Sequence, residues 1–188
     1  MTTLNIVLIA VIVVAVAFAV VMYIQRQRSR RLRDQFGPEY DRLVGDRGNQ
    51  RKAEHELAER QKRVGKLHLR ELDRGEIDRF ANSWSAIQTQ FVDAPREAVA
   101  RADKLVREVM EARGYPMGDF EQRAADISVD HPDVVSHYRT AHDLAGRGAA
   151  GKATTEDLRQ AMVHYRALFE DLLGKPVTSE YHPQEVTR

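Results

Sequence analysis

LNIVLIAVIVVAVAFAVVMYI is the stretch that decides the architecture of this chain. It begins at Leu4, ends at Ile24 and contains 21 residues, of which Asn5 is the only strongly polar one. A helix of this length spans about 30 Å, which is the thickness of the hydrocarbon core of a bilayer. Because backbone groups in lipid must hydrogen-bond to one another, the run predicts one transmembrane helix.

A cleavable secretion signal is the alternative for the same stretch. Such signals combine a basic start with an apolar core of about 7–15 residues and a cleavage site of small residues. Here the preceding MTT carries no basic side chain, and the longer apolar run leads directly into Gln-Arg-Gln-Arg. These features favour an anchor that stays in the membrane.

The charges on either side of the apolar run predict its orientation. No Lys or Arg precedes the run, whereas six arginines follow it closely: Arg26, Arg28, Arg30, Arg31, Arg33 and Arg42. Basic residues within about 15–20 positions of a span tend to stay on the cytoplasmic side. We therefore expect an outside N-terminus and a cytoplasmic distal part. The first five of these arginines are also candidates for contact with anionic lipid head groups.

Charge and composition exclude several classes of function. Residues 26–74 hold 15 Lys/Arg against 9 Asp/Glu, whereas residues 75–188 hold 14 against 19. The acidic distal part has little attraction for nucleic acid, so no nucleic-acid partner is predicted. The chain has no cysteine, which excludes disulfides, thiolate metal sites and cysteine nucleophiles.

Two polar segments follow the predicted span. Residues 25–50 form a basic juxtamembrane segment, in which the helix should continue to Gln35, break at Gly37-Pro38 and give way to a loop over residues 45–50. Residues 51–75 are a charged linker, with a helix predicted over 51–72. Its thin apolar stripe is interrupted at Arg60, and Gly65 weakens the helix prediction.

Residues 76–174 have the periodicity of a small bundle of four to five helices, so the predicted fold class is all-α. One helix should bury Trp84 among apolar residues at helical spacing. Asp93, Asp119 and Asp130 are expected to cap helices, the last of them a helix opening at Pro132. Thr154 and Asp157 should form a capping box, and Gly174 should end the last helix. A disordered tail is predicted over residues 175–188.

Histidine and aspartate side chains supply the densest reactive chemistry of the distal part. His131, His137 and His142 lie near Asp130 and Asp133, and imidazole with carboxylate suits Zn, Fe or Mn. His137 and His142 are five positions apart, however, so their side chains should diverge on a helix. No metal, cofactor or catalytic residue is therefore predicted.

A three-residue sequence is repeated within the distal part. HYR occurs at residues 137–139 and again at 164–166. Two matches fall short of the three or more units that a solenoid needs. We expect each helix to bury its Tyr independently, beside an exposed His and an exposed Arg.

Three segments carry a resemblance to a known family. They are DRFANSWSAIQTQFVDAPREAVARADKLVREVMEARGYP at residues 78–116, DFEQRAADISVDHPDVVSHYRTAH at 119–142 and TEDLRQAMVHYRALFEDLL at 155–173. The chain resembles a family of uncharacterised bacterial single-pass membrane proteins, sometimes labelled secreted, with a small helical C-terminal domain. The family has no assigned activity, so the resemblance implies no functional residues.

The expected function follows from these features together. The chain should be a single-pass protein of the cell membrane whose non-catalytic helical domain acts as a tether or protein-interaction module. Its expected partners are the lipid bilayer, anionic head groups and a protein of unknown identity. The alternative is an enzyme, or a sensor of a metal or small molecule, that uses His, Asp and Tyr groups between helices.

Overall fold

The computed structural model describes residues 3–174, and the predicted tail at residues 175–188 lies outside them. The described part is all-helical and has no strand. Its eight helices are α1 (Thr3–Phe36), α2 (Pro38–Arg47), α3 (Gln50–Val64), α4 (Arg74–Gln90), α5 (Pro95–Ala112), α6 (Phe120–Asp130), α7 (Val135–Ala149) and α8 (Thr155–Leu173).

Helix α1 combines two environments without a break. From Val11 to Ile24 its apolar side chains are exposed, whereas near its end Leu32 and Phe36 are buried. By length and composition it is the one helix among the described residues that is apolar enough to cross a membrane. Its extension through Gln35 confirms the predicted polar continuation. It ends before Gly37, whose φ of 47° suits glycine, and Pro38 opens α2.

The connection between α2 and α3 is tighter than predicted. Helix α2 extends to Arg47, so the loop predicted over residues 45–50 is wrong: two residues, Gly48 and Asn49, join the helices. Gly48 adopts a left-handed conformation and ends α2. The Asn49 side chain accepts the Lys52 N–H and begins α3. Two adjacent capping residues therefore replace the loop.

Helix α3 is shorter than the predicted helix over residues 51–72, because it ends at Val64. Gly65 follows at the C-cap, and the Arg70 N–H donates to the Arg113 carbonyl at the end of α5. Asp73 then begins α4 through a capping box with Glu76. The chain leaves α3 because its backbone finds hydrogen-bond partners on α5 and at a new helix start.

The main apolar core lies among α4, α5, α6, α7 and α8. Trp84 is 1% exposed and stacks on Phe169 with ring centroids 4.8 Å apart, which confirms its prediction as a core residue. The apolar residues that recur at helical spacing on α5 and α8 are buried: Ala98, Val99, Ala102, Leu105, Val106, Val109 and Met110 on α5, and Leu158, Ala161, Met162, Tyr165, Leu168, Phe169 and Leu172 on α8. Amphipathic spacing at 3.6 residues per turn was sufficient to select these faces.

A second apolar cluster joins the first three helices to this core. It contains Leu32, Phe36, Tyr40, Leu43, Ala53 and Leu57, and Val129 of α6 packs against it. Helices α1, α2 and α3 are therefore docked through side chains that are almost fully buried.

The predicted caps have mixed outcomes. The caps at Asp119 and at Thr154 with Asp157 are confirmed, as is the end of α8 at Gly174. The predicted Asp93 cap is wrong: Ala94 precedes α5, and no side chain caps that helix. The prediction for Asp130 is also wrong. It ends α6 and accepts a hydrogen bond from Tyr115, so α7 begins at Val135 and not at Pro132.

Candidate functional site at the membrane-proximal end

The predicted arginines differ from one another in their surroundings. Arg26, Arg28, Arg30 and Arg31 are exposed and make no ion pair with any residue that the structure describes. Arg33 is different: it contacts Asp41 at 3.0 Å and lies over the Tyr40 ring. One arginine of the predicted set thus helps to hold α1 against α2, and the other four present free positive charge.

A cleft of about 1020 Å³ lies between the polar end of α1 and the start of α3. Arg26, Arg28 and Arg30 line its α1 side, and Arg51 lies on its α3 side. Tertiary packing brings Arg51 to this group, and no local pattern in the sequence marks it. The cleft is the largest concentration of unpaired positive charge beside the apolar half of α1 among the described residues.

A buried ion network connects α2, α3 and α7. The Glu39 side chain is 1% exposed and accepts from Arg42 at 2.8 Å, from Arg60 at 2.9 Å and from Arg139 at 3.2 Å. Arg60, 5% exposed, also contacts Glu56 at 2.6 Å. The network therefore links α2 to α3 and α7, and it explains why a charge interrupts the apolar stripe of α3.

The Glu39 carboxylate is strongly stabilised in its ionised form. Burial by itself would raise its pKa, because desolvation penalises the charge. The hydrogen bond from Arg42, the charges of Arg139 and Arg42 and the hydrogen bond from Arg60 together outweigh burial and lower the pKa from 4.5 to about 2. Glu39 is thus a fixed negative charge that holds the guanidinium groups of three helices.

A second buried carboxylate connects α3 to α6. Asp126 is 0% exposed, accepts from Arg63 at 2.8 Å and also accepts from Gln122 at 2.9 Å. A buried charge is tolerated only when it is paired and hydrogen-bonded. The linker helix and the distal helices are therefore matched by specific pairs as well as by apolar contact.

The three candidate metal-binding histidines lie in separate surroundings. His131 contacts Asp171, His142 stacks on the Phe120 ring, and His137 contacts His164. No group of three His, Asp or Glu side chains converges as a metal site among residues 3–174. The predicted divergence of His137 and His142 is confirmed, because they face different helices.

The two HYR segments meet each other, which was not predicted. The Nδ1 atoms of His137 and His164 are 2.7 Å apart, and Tyr138 and Tyr165 are both fully buried. The two histidines are half-buried and not exposed, so this part of the interpretation is wrong. Burial, followed by the neighbouring His137, lowers the pKa of His164. The two copies of HYR therefore lie at the contact between α7 and α8.

A shallow apolar depression of about 190 Å³ lies between α4 and α8. Trp84, Phe91, Met162 and Val163 contribute to its lining. It is small beside the cleft between α1 and α3, and its polar lining residues are Gln88, Arg159 and Arg166.

Comparisons with known proteins return no match to a protein-family model, to a curated protein or to a solved structure.

Proposed function

We propose that this protein is a membrane-anchored, non-catalytic tether or protein-interaction module. The supporting observation is the unbroken α1, whose exposed apolar half continues into a polar half in which Leu32 and Phe36 are buried. A bilayer would cover the exposed side chains, because apolar surface of this extent is unfavourable in water. The distal helices would then be held at the membrane surface by a stiff connection.

The buried network supports the stiffness of this tether. Glu39 joins α2 to α3 and α7, and Leu57 lies fully buried beside the end of α1. Rotation of the distal helices about the anchor would break these contacts and leave charges unpaired in a dry environment. A partner protein would therefore meet the distal surface in a restricted orientation.

The arginines after Ile24 support a cell-membrane location with the N-terminus outside and the distal helices in the cytoplasm. The proposed partners are the bilayer, its anionic head groups and one further protein. The order of segments also supports membership of the uncharacterised single-pass family named above. The separate surroundings of His131, His137 and His142 support a non-catalytic role over a metal sensor.

Two reporter fusions at the C-terminus test the location. We expect a reporter that works only in the cytoplasm to be active, and one that works only outside to be silent. The protein should also stay in membranes washed with alkaline carbonate, at its full mass. Release of a shortened product would identify a cleaved signal and refute the anchor.

A pull-down from detergent-solubilised membranes tests the tether. The full chain should recover a specific partner that a variant lacking α4 to α8 does not recover. Recovery of the same proteins by both, or of none, would contradict a partner-binding distal part.

A further inference from the structure

The cleft between α1 and α3 has the chemistry of an anion site placed beside a membrane. We propose that it binds the phosphate group of an anionic membrane lipid. The inference rests on the proposed function, because it requires α1 to span the bilayer. It goes further by naming a site, and it divides the predicted arginines into those that contact the lipid phosphate and those that do not.

The lining of the cleft carries an excess of positive charge. Arg26, Arg28, Arg30 and Arg51 line it, and none of them makes a direct ion pair with a described carboxylate. The charge of Arg28 contributes to the lowered pKa of Glu54. Glu54 is the carboxylate in the lining, and it already accepts hydrogen bonds. The surplus is positive, and guanidinium groups bind phosphate oxygens through paired N–H donors.

The start of α3 adds backbone N–H donors to the cleft. The Asn49 side chain accepts the Lys52 N–H at 3.2 Å, and its carbonyl accepts the Ala53 N–H at 3.1 Å. The N–H groups of Gln50 and Arg51 have no acceptor among the described residues. A helix start with open N–H groups favours an anion, and here it faces a cleft that is already basic.

The position of the cleft along α1 matches the head-group layer of a bilayer. The head-group layer of a bilayer is about 5–7 Å thick on each side, and a helix rises about 1.5 Å per residue. The layer therefore extends about three to five residues beyond Ile24, and Arg26 and Arg28 fall within it. Arg31 lies about 10 Å beyond Ile24 by the same rise and does not line the cleft. The cleft opens where lipid phosphates lie.

The experiment uses the full-length protein in nanodiscs that contain spin-labelled phosphatidylglycerol or spin-labelled phosphatidylcholine. The ratio of their motionally restricted fractions measures selectivity for the anionic lipid. The double variant Arg28→Gln/Arg51→Gln removes two charges from the cleft. The matched control Arg31→Gln/Lys52→Gln removes two charges from the same helices at positions that do not line it.

We expect the cleft variant to lower the selectivity ratio by about 25-fold, because each of its two arginines near a membrane surface contributes about fivefold. The control should lower it by less than about threefold, because charges outside the site act only through the general surface field. Equal losses in the two variants would overturn the site and leave only diffuse attraction.

A second test removes no arginine and should change the selectivity ratio in the opposite direction. Glu54→Gln should raise the selectivity ratio, because it deletes the negative charge in the cleft and retains an oxygen to accept the Tyr40 and Gln50 bonds. An unchanged or lowered ratio would contradict the proposal. Circular dichroism of each variant checks that the helices are intact.

Two further outcomes separate the causes of failure. If the cleft binds inorganic phosphate while the wild-type protein shows no selectivity for phosphatidylglycerol, the cleft is a free-anion site and the lipid assignment is overturned. If alkaline carbonate extracts the wild-type protein from vesicles, the proposed anchor itself fails. A retained protein with no difference between the cleft and control variants refutes the lipid site alone.

Discussion

Replacing Glu39 with glutamine should destabilise the docking of the first three helices. The substitution keeps the shape of the side chain and removes the one carboxylate that Arg42, Arg60 and Arg139 share. Arg42 keeps its partner Asp46, and Arg139 keeps its partner Glu121. Arg60 is 5% exposed and keeps only its partly exposed partner Glu56. The loss is therefore mainly the cost of a buried charge that has lost its principal partner.

The broken ion pair and the shifted pKa give the same expected loss in the free energy of unfolding. Breaking a buried ion pair by removing one partner costs about 3–5 kcal/mol. The pKa of Glu39 falls from 4.5 in the unfolded chain to about 2 in the folded protein. At about 1.4 kcal/mol per pH unit, this difference corresponds to about 3 kcal/mol. We expect a loss of about 3 kcal/mol in the free energy of unfolding at neutral pH.

The dependence on pH has a definite sign. Because the folded pKa of Glu39 lies below the unfolded value, its stabilisation is complete above pH 4.5 and is lost as the pH falls towards 2. Glutamine cannot titrate. The difference in stability between wild type and Glu39→Gln should therefore shrink from about 3 kcal/mol towards zero across this window.

Urea unfolding of the full-length protein in detergent micelles provides the assay, with far-UV circular dichroism as the signal. Fluorescence of Trp84, the only tryptophan, reports separately on the main core. Glu111→Gln on the exposed face of α5 is the matched control and should change stability by less than about 0.5 kcal/mol. A loss below about 1 kcal/mol for Glu39→Gln, or a loss independent of pH between 4.5 and 2, would refute this reasoning.

Three further predictions concern single positions. Leu57→Ala should cost about 2–5 kcal/mol, because it leaves a cavity in the second apolar cluster; a melting temperature within error of wild type would exclude that packing. Gly114→Ala should destabilise the protein more than Gly151→Ala: both glycines have positive φ, but a Cβ at 114 would lie 2.8 Å from the His68 carbonyl oxygen, whereas at 151 it would meet open space. Equal melting temperatures for these two variants would contradict the close approach of Gly114 to the extended segment at His68. In an NMR titration His164 should titrate below 6.5, and His137→Gln should move its pKa towards 6.5, because the neighbouring imidazole is a cause of the shift. Stability from His164 is complete above pH 6.5 and is lost as the pH falls below it, so a midpoint above 6.5 would reverse the inferred sign.

Local chemistry was enough to predict several helix ends and faces. Thr154 and Asp157 form a capping box because the two positions are three apart, a relation visible in the sequence itself. The buried faces of α5 and α8 follow from spacing in the same way. Helix α3 ends before Gly65, the position that weakened the helix prediction, whereas the hydrogen bond from the Arg70 N–H to the Arg113 carbonyl further along could not be predicted from local spacing.

Only part of the candidate site could be predicted from the sequence. Arg26, Arg28 and Arg30 stand out beside an apolar run, whereas Arg51 belongs to the same cleft only because α3 folds back against α1. Arg33 is equivalent to its neighbours in the sequence, yet it pairs with Asp41. A single signal for the buried network was present: the charge at position 60 within an apolar stripe.

The sequence by itself determined the all-helical class, the apolar length of α1 and the basic residues that follow it, because these depend on composition and on neighbours within one or two helical turns. Tertiary structure decided which charges are solvated and which are buried. Glu39 meets Arg60 across 21 positions and Arg139 across 100. Along the chain these three residues look like any exposed charges, because desolvation and pairing arise only when packed helices exclude water and bring distant groups within hydrogen-bond distance.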